Sequence, residues 1–148
     1  MSIVKAIRNS FEKARHREWD EVYWHFDIHG TMIKPNYSKG NIPTEFYDDA
    51  ERVLKMISNR PDIKMILFTC SWPDEQSQYF ELFESLHIKF HAVNSNPFVE
   101  TKDGGYGYYV EKPYMDVLFE DKAGFDPETD WLLVEKELLN QPLLKSKR

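Results

Sequence analysis

The sequence predicts an α/β fold: a three-layer Rossmann-like domain with a mostly parallel central sheet flanked by helices. Runs such as Tyr23-Trp24-His25-Phe26 and Met65-Ile66-Leu67-Phe68 are too short for helices and read as strands buried on both faces, the habit of parallel sheets. Segments with apolar residues at three- and four-residue spacing alternate with them, the order that winds a parallel sheet between helices. Each run closes on polar or turn-forming residues, and open α/β sheets bind their ligands just beyond those carboxyl ends.

Residues 2–19 place Ile3, Ile7, Phe11 and Ala14 at helical spacing with Lys5, Arg8, Lys13, Arg15 and Arg17 elsewhere, an amphipathic helix whose basic face is expected to be solvated. The first strand ends at Asp27, before a Gly30-Thr31 turn. Residues 32–41 are turn-rich, carry Lys34 and Lys39, and are expected to form a flap over that strand end. Thr44 or a near neighbour is expected to cap a helix with Phe46, Ala50, Val53, Leu54 and Ile57 on one face, stopped by Asn59-Arg60-Pro61. The second strand begins at Lys64 and gives way to Thr69-Cys70-Ser71; strand, helix and strand at this spacing predict a right-handed parallel crossover. A helix over 74–86, with Tyr79, Phe80, Leu82 and Phe83, leads to a third strand over 88–94.

Residues 94–109 are irregular, and their tyrosines read either as rim aromatics covering a small core or as rings that stack on a base or sugar. The last strand, 115–119, ends in Glu120-Asp121. Asp126 and Pro127 are expected to open the final helix as N-cap and first-turn proline, with Trp131, Leu132, Val134, Leu138 and Leu139 on its core face.

A chain of 148 residues fits one domain, with an N-terminal helix over 1–19, a core over 20–140 and a tail over 141–148 that is expected to fray. The net charge of −6 and pI near 5.4 carry no electrostatic footprint for nonspecific nucleic-acid or anionic-membrane binding. Cys70 is the single cysteine, which excludes an intrachain disulfide, and residues 1–5 lack the apolar core of a signal peptide. The longest purely apolar run, 65–68, is far below the ~20 residues that span a bilayer. These features predict a soluble cytoplasmic protein.

Asp27 closes a buried strand, Gly30 lets the backbone turn sharply, and the Thr31 hydroxyl and neighbouring amides can face an anion, a layout that suits a carboxylate nucleophile or metal ligand. The hexapeptide Phe26-Asp27-Ile28-His29-Gly30-Thr31 resembles the first motif of the haloacid dehalogenase-like superfamily, hydrophobic-D-x-D-G-T, with His29 at the second Asp. Thr69 is similar to the second motif, a strand-end Thr or Ser that holds the transferring phosphoryl oxygen, with Ser71 as its alternative and Cys70 between them. Lys112, in Glu111-Lys112-Pro113, resembles the third, and Glu120-Asp121 the fourth.

The resemblance covers about 22–124 and implies a magnesium-dependent phosphomonoester hydrolase in which Asp27 is phosphorylated. It implies phosphate binding by Gly30, Thr31, Thr69, Cys70, Ser71 and Lys112, and metal binding by Asp27, Asp121 and the His29 carbonyl, with Glu120 in support, often through water. Two carboxylates and water suit a magnesium ion, and a histidine with a reference pKa of about 6.5 has the chemistry to act as acid and base near neutral pH. His25, Asp27 and His29 alternate along the strand, so a histidine-rich transition-metal site is the competing metal chemistry. Neither interval that holds a cap domain in relatives is long enough for one here, which implies an open site, a macromolecular substrate or a homo-oligomer. The contrasting expectation is a catalytically silent domain that binds a phosphorylated ligand or partner.

Overall fold

A computed structural model describes residues 2–36, 41–102 and 105–145, and these form four strands, four α-helices and a 3-10 turn over Asp121–Ala123. They run α1 (Ser2–Arg17), β1 (Val22–Phe26), α2 (Ala50–Ser58), β2 (Ile63–Leu67), α3 (Pro73–Ser85), β3 (Ala92–Val93), β4 (Val117–Phe119) and α4 (Asp130–Asn140). The sheet order is β3-β2-β1-β4 and every pairing is parallel. This is the expected Rossmann-like α/β architecture, with a parallel sheet flanked by helices. After β3 the chain returns past β2 and β1 to place β4 on the far side of β1, so the order reverses there. Crevices at such reversals are where α/β sheets take ligands.

The two faces of β1 explain the layering. Val22, Trp24 and Phe26 belong to the apolar core shared with Ile7 and Phe11 of α1, Val53 and Leu54 of α2, Phe83 of α3 and Trp131 of α4. Tyr23 and His25 point to the other face, where Phe98 from the segment after β3 stacks on Tyr23 at 6.1 Å. Phe98 and Tyr114 thus cover β1 on that side. Arg8 meets Glu137 at 3.1 Å and Arg52 meets Glu135, tying α1 and α2 to α4. Among the described residues no helix is long and apolar enough to cross a membrane.

Several local expectations are corrected. α1 ends at Arg17, because Glu18 takes a left-handed conformation with φ of 60° and its amide closes on Arg15 O. α2 starts at Ala50 rather than near Thr44: Lys34 N donates to Glu45 O and Tyr47 N to Met32 O, drawing residues 45–47 into a short pairing with the chain after β1. That pairing also buries Met32 and Ile33 completely, so the start of the expected flap is core; residues 37–40, with Lys39, lie outside the described residues. Asp126 caps a turn ahead of α4 through Glu128 N, and α4 itself begins at Asp130. Trp131, Val134 and Leu138 are buried as expected, but Leu132 and Leu139 are exposed. Residues 141–144 do not fray: Arg60 donates to Gln141 O at 2.7 Å, and Leu144 N donates to Asp62, itself paired with Arg60 at 2.7 Å. The third strand shrinks to Ala92–Val93, while Ile88 and Phe90 still enter the core.

Candidate functional site

The parallel register decides which acids meet. Phe26 pairs with Phe119, so the residues that follow them, Asp27 and Glu120, leave the sheet side by side; Asp27 N still donates to Phe119 O at 2.9 Å. Below them Phe26 stacks on Phe119 at 4.4 Å and Phe119 on Trp131 at 5.9 Å, a stiff aromatic floor. Glu120, Asp121 and Asp27 each offer a carboxylate oxygen within 4.8 Å of the others.

The turn after β1 is built around this cluster. Ile28 O accepts from Met32 N and Ile33 N, and Gly30, at φ 81°, donates to Ile33 O. A Cβ at Gly30 would lie 2.8 Å from Asp121 Oδ2, so only glycine permits this approach as well as this φ. Thr31 is fully buried; its hydroxyl lies 3.3 Å from Asp27 Oδ2 and 3.5 Å from Asp121 Oδ1, and accepts from Asp121 N at 3.0 Å. Trp131 Nε1 donates to Thr31 O and pins the turn to α4. The Gly30 and Thr31 amides are therefore engaged inside the turn, and Thr31 positions carboxylates instead of facing an anion.

Asp27, His29, Thr69, Cys70 and Glu120 line one cleft of about 470 Å³ together with Phe68, Asn94 and Lys122. His29 Nε2 is 2.5 Å from the hydroxyl of buried Tyr79 on α3. Thr69 and Asn94 clamp the ends of β2 and β3: Thr69 N donates to Asn94 Oδ1, and Asn94 Nδ2 to Thr69 O, both at 2.8 Å. Ser71 N donates to Thr69 Oγ1 and its hydroxyl lies 2.9 Å from the same oxygen, so Ser71 supports Thr69.

Lys112 is not among the residues that line this cleft. It stands two residues before Tyr114, which bonds Arg17 and Asp116, and Asp116 accepts from Tyr23 N at the start of β1. Most of β1 separates Asp116 from Asp27, roughly 13 Å at ~3.3 Å per residue. Lys122 and Asn94 are the cleft residues that sequence reasoning missed. Each sits one or two positions past a strand's acid or end, a weak signal that becomes specific only once the strands are aligned. His25 is fully buried beside Phe68, on the face of β1 away from the main core, and neither ring nitrogen is bonded to a carboxylate or to any other group among the described residues.

Crowding marks the electrostatics. Burial raises Asp27 above the usual carboxylate range, the charge of Asp121 adds to it, and hydrogen bonds from Glu120 and Thr31 oppose it. Burial, with the hydrogen bond and charge of its neighbours, pushes Glu120 up to about 7. Burial lowers His29, against the pull of Glu75. Carboxylates this close repel unless a proton or a cation stands among them.

Fold and site together define a Rossmann-like α/β domain with an acidic cleft at the strand-order reversal. No protein-family model matches the chain. No curated protein matches it either. Among solved structures it is similar to a conserved protein from Bacteroides thetaiotaomicron, with 19% identity over 86% of this chain and 99% of that one and a TM-score of 0.59. A likeness at that identity establishes the fold alone.

Proposed function

We propose that the chain is a magnesium-dependent phosphomonoester hydrolase of the haloacid dehalogenase-like kind, acting through a phosphoryl group carried on Asp27. The observation that carries this reading is the convergence of Asp27, Glu120 and Asp121 within 4.8 Å at the ends of adjacent parallel strands. An all-carboxylate set fits a hard cation better than a transition metal, which the buried His25 does not approach. Asp27, Asp121 and the His29 carbonyl would hold magnesium, with Glu120 in support. When bound, the ion supplies positive charge that keeps Asp27 ionised and offsets the phosphate.

Asp27 attacks phosphorus in line, the bond to the leaving oxygen breaks, and His29 gives that oxygen its proton. Water then attacks the phosphoaspartate, His29 takes the water's proton, and Asp27 and phosphate are released. Thr69 and Lys122 bind phosphoryl oxygens, Lys122 in the role that sequence resemblance assigns to Lys112. The open cleft suits a macromolecular substrate or a homo-oligomer whose neighbour acts as lid. A cytoplasmic setting, in which the exposed Cys70 thiol stays reduced, completes the reading.

The position of Lys112 favours a second reading, a silent domain that binds a phosphorylated ligand. A screen of phosphomonoesters with and without magnesium separates the two by turnover. Against the best substrate, Asp27→Asn should abolish hydrolysis, because an amide is a poor nucleophile and a weaker cation ligand; a wild-type rate in that variant removes Asp27 as nucleophile.

A further inference from the structure

We propose that Tyr79 is a positioning residue of the cleft: by bonding His29 at Nε2 it sets the ring so that Nδ1 is the atom presented to the substrate. This rests on the reading of His29 as the group that exchanges a proton with the leaving oxygen and with water. The Tyr79 hydroxyl stands 2.5 Å from His29 Nε2, and the two rings meet edge to face at 5.5 Å. The turn fixes the His29 backbone, through its bridge with Ile33 and the bond from Gly30 N to Ile33 O, and leaves the ring its side-chain torsions. A half-turn of the ring exchanges Nε2 with a carbon. Only one of the two settings bonds the hydroxyl.

Tyr79 is a stiff support. It is fully buried on the inward face of α3, one turn ahead of Phe83, whose ring packs on Phe46 at 5.9 Å and on Phe90 at 4.7 Å. The first turn of α3 is tied to the loop that carries Thr69 and Cys70, since Gln76 Nε2 donates to Ser71 O at 2.9 Å. One helix thus bonds His29 and anchors the loop of Thr69. The groups assigned to the proton and to the phosphoryl oxygens therefore keep a fixed relation, as a site built on a packed element can.

The choice of nitrogen agrees with the motif. The pattern that residues 26–31 resemble has an aspartate where His29 stands, and an aspartate oxygen and Nδ1 are both bonded to Cγ. Nδ1 takes the place of that oxygen, whereas Nε2 lies one bond further out. In the proposed reaction the charged ring gives its Nδ1 proton to the leaving oxygen. The neutral ring, still protonated at Nε2, then takes the water's proton at Nδ1. The Tyr79 oxygen accepts from Nε2–H throughout and holds that tautomer.

Two measurements on the full chain test this. Two-bond proton–nitrogen NMR at about pH 8, where histidine is neutral, reads the tautomer, with His29→Asp assigning the signals. The wild type should show one tautomer with its proton on Nε2, and Tyr79→Phe, which keeps the ring, should move both nitrogens towards the average of two exchanging forms. In steady-state kinetics on an alkyl phosphate, Tyr79→Phe should lower kcat by about 10- to 100-fold and change KM by less than about twofold. His29→Asp should keep turnover, and adding Tyr79→Phe to it should change kcat by less than about twofold, because the bonded nitrogen is gone. A tyrosine that only packs would have the same effect in both backgrounds. A wild-type ring with its proton on Nδ1 or averaged between the nitrogens, an inactive His29→Asp, or equal effects of Tyr79→Phe in both backgrounds would overturn the proposal. If the wild type turns over no phosphomonoester with magnesium, the hydrolase reading fails, and the tautomer measurement still decides whether Tyr79 sets the ring.

Discussion

Lys122 and Lys112 pose the sharpest contrast at the scale of single residues. If the cleft lysine neutralises the phosphoryl oxygens, Lys122→Ala should lower kcat/KM by about 10- to 100-fold, less than the ~10²–10³-fold of a buried electrostatic donor because this side chain is exposed. Lys112→Ala should change it by less than about twofold, since this exposed lysine does not line the cleft and its charge is screened. Steady-state kinetics on both variants decides; a large loss in Lys112→Ala alone would return the role to that residue. His25 makes a separate prediction about stability. Burial lowers its pKa to about 4 from the ordinary imidazole value of 6.5, so the unfolded chain takes up a proton before the folded one does. Stability from the neutral ring is complete above pH ~6.5 and is lost as pH falls towards 4, by about 3 kcal/mol in all. His25→Leu removes that loss together with two unbonded nitrogens. In urea titrations the variant should gain on the wild type steadily between those pH values, and a constant difference would mean that the wild-type ring reaches water.

Elements set how well the acids are held. The turn after β1 hangs from α4 by the bond from Trp131 Nε1 to Thr31 O, at 3.0 Å and buried. Trp131→Phe keeps an aromatic ring on Phe119 but leaves the Thr31 carbonyl unbonded, at a cost of about 1–3 kcal/mol in unfolding free energy. Thr31 also faces Asp27 and Asp121, so the same variant should need more magnesium for half-maximal rate. A stability loss with an unchanged magnesium titration would uncouple α4 from the site. The same elements show the limits of periodicity. Phe46 fits the helical spacing of Ala50, Val53 and Leu54, yet its backbone lies in a bridge with Ile33 and its ring packs on Phe83 at 5.9 Å. Leu132 and Leu139 fit the spacing of α4 as well as Trp131 does, but α1 and α2 cover one side of that helix and leave those leucines exposed.

At the scale of the molecule, three clustered carboxylates oppose folding through mutual repulsion, and a cation that binds them adds stability by mass action. Magnesium at ten times its dissociation constant should add about 1.4 kcal/mol and raise Tm by roughly 4 °C for a domain of this size. Thermal melts with magnesium, and again after a chelator, measure this directly. Asp121→Ala should reduce or erase the rise, whereas an undiminished rise would place the ion elsewhere.

Local chemistry determined much of this arrangement before any folding. Apolar runs capped by Asp27 and by Glu120-Asp121 specify buried strands whose polar ends must emerge at one edge, because parallel strands share a direction. Gly30 was legible for a similar reason, since a positive φ beside a strand end needs a residue without Cβ. Tertiary structure alone decided which charges meet. Register set Asp27 beside Glu120, closure of the turn buried Thr31 and used its amide, and the packed cleft took Lys122 and not Lys112 into its lining. Packing also buried His25 beside Phe68 and set Tyr79 against His29. Spacing along a chain fixes the face and end on which a residue falls, but contact between residues distant in sequence depends on strand order and register, which belong to the packed sheet.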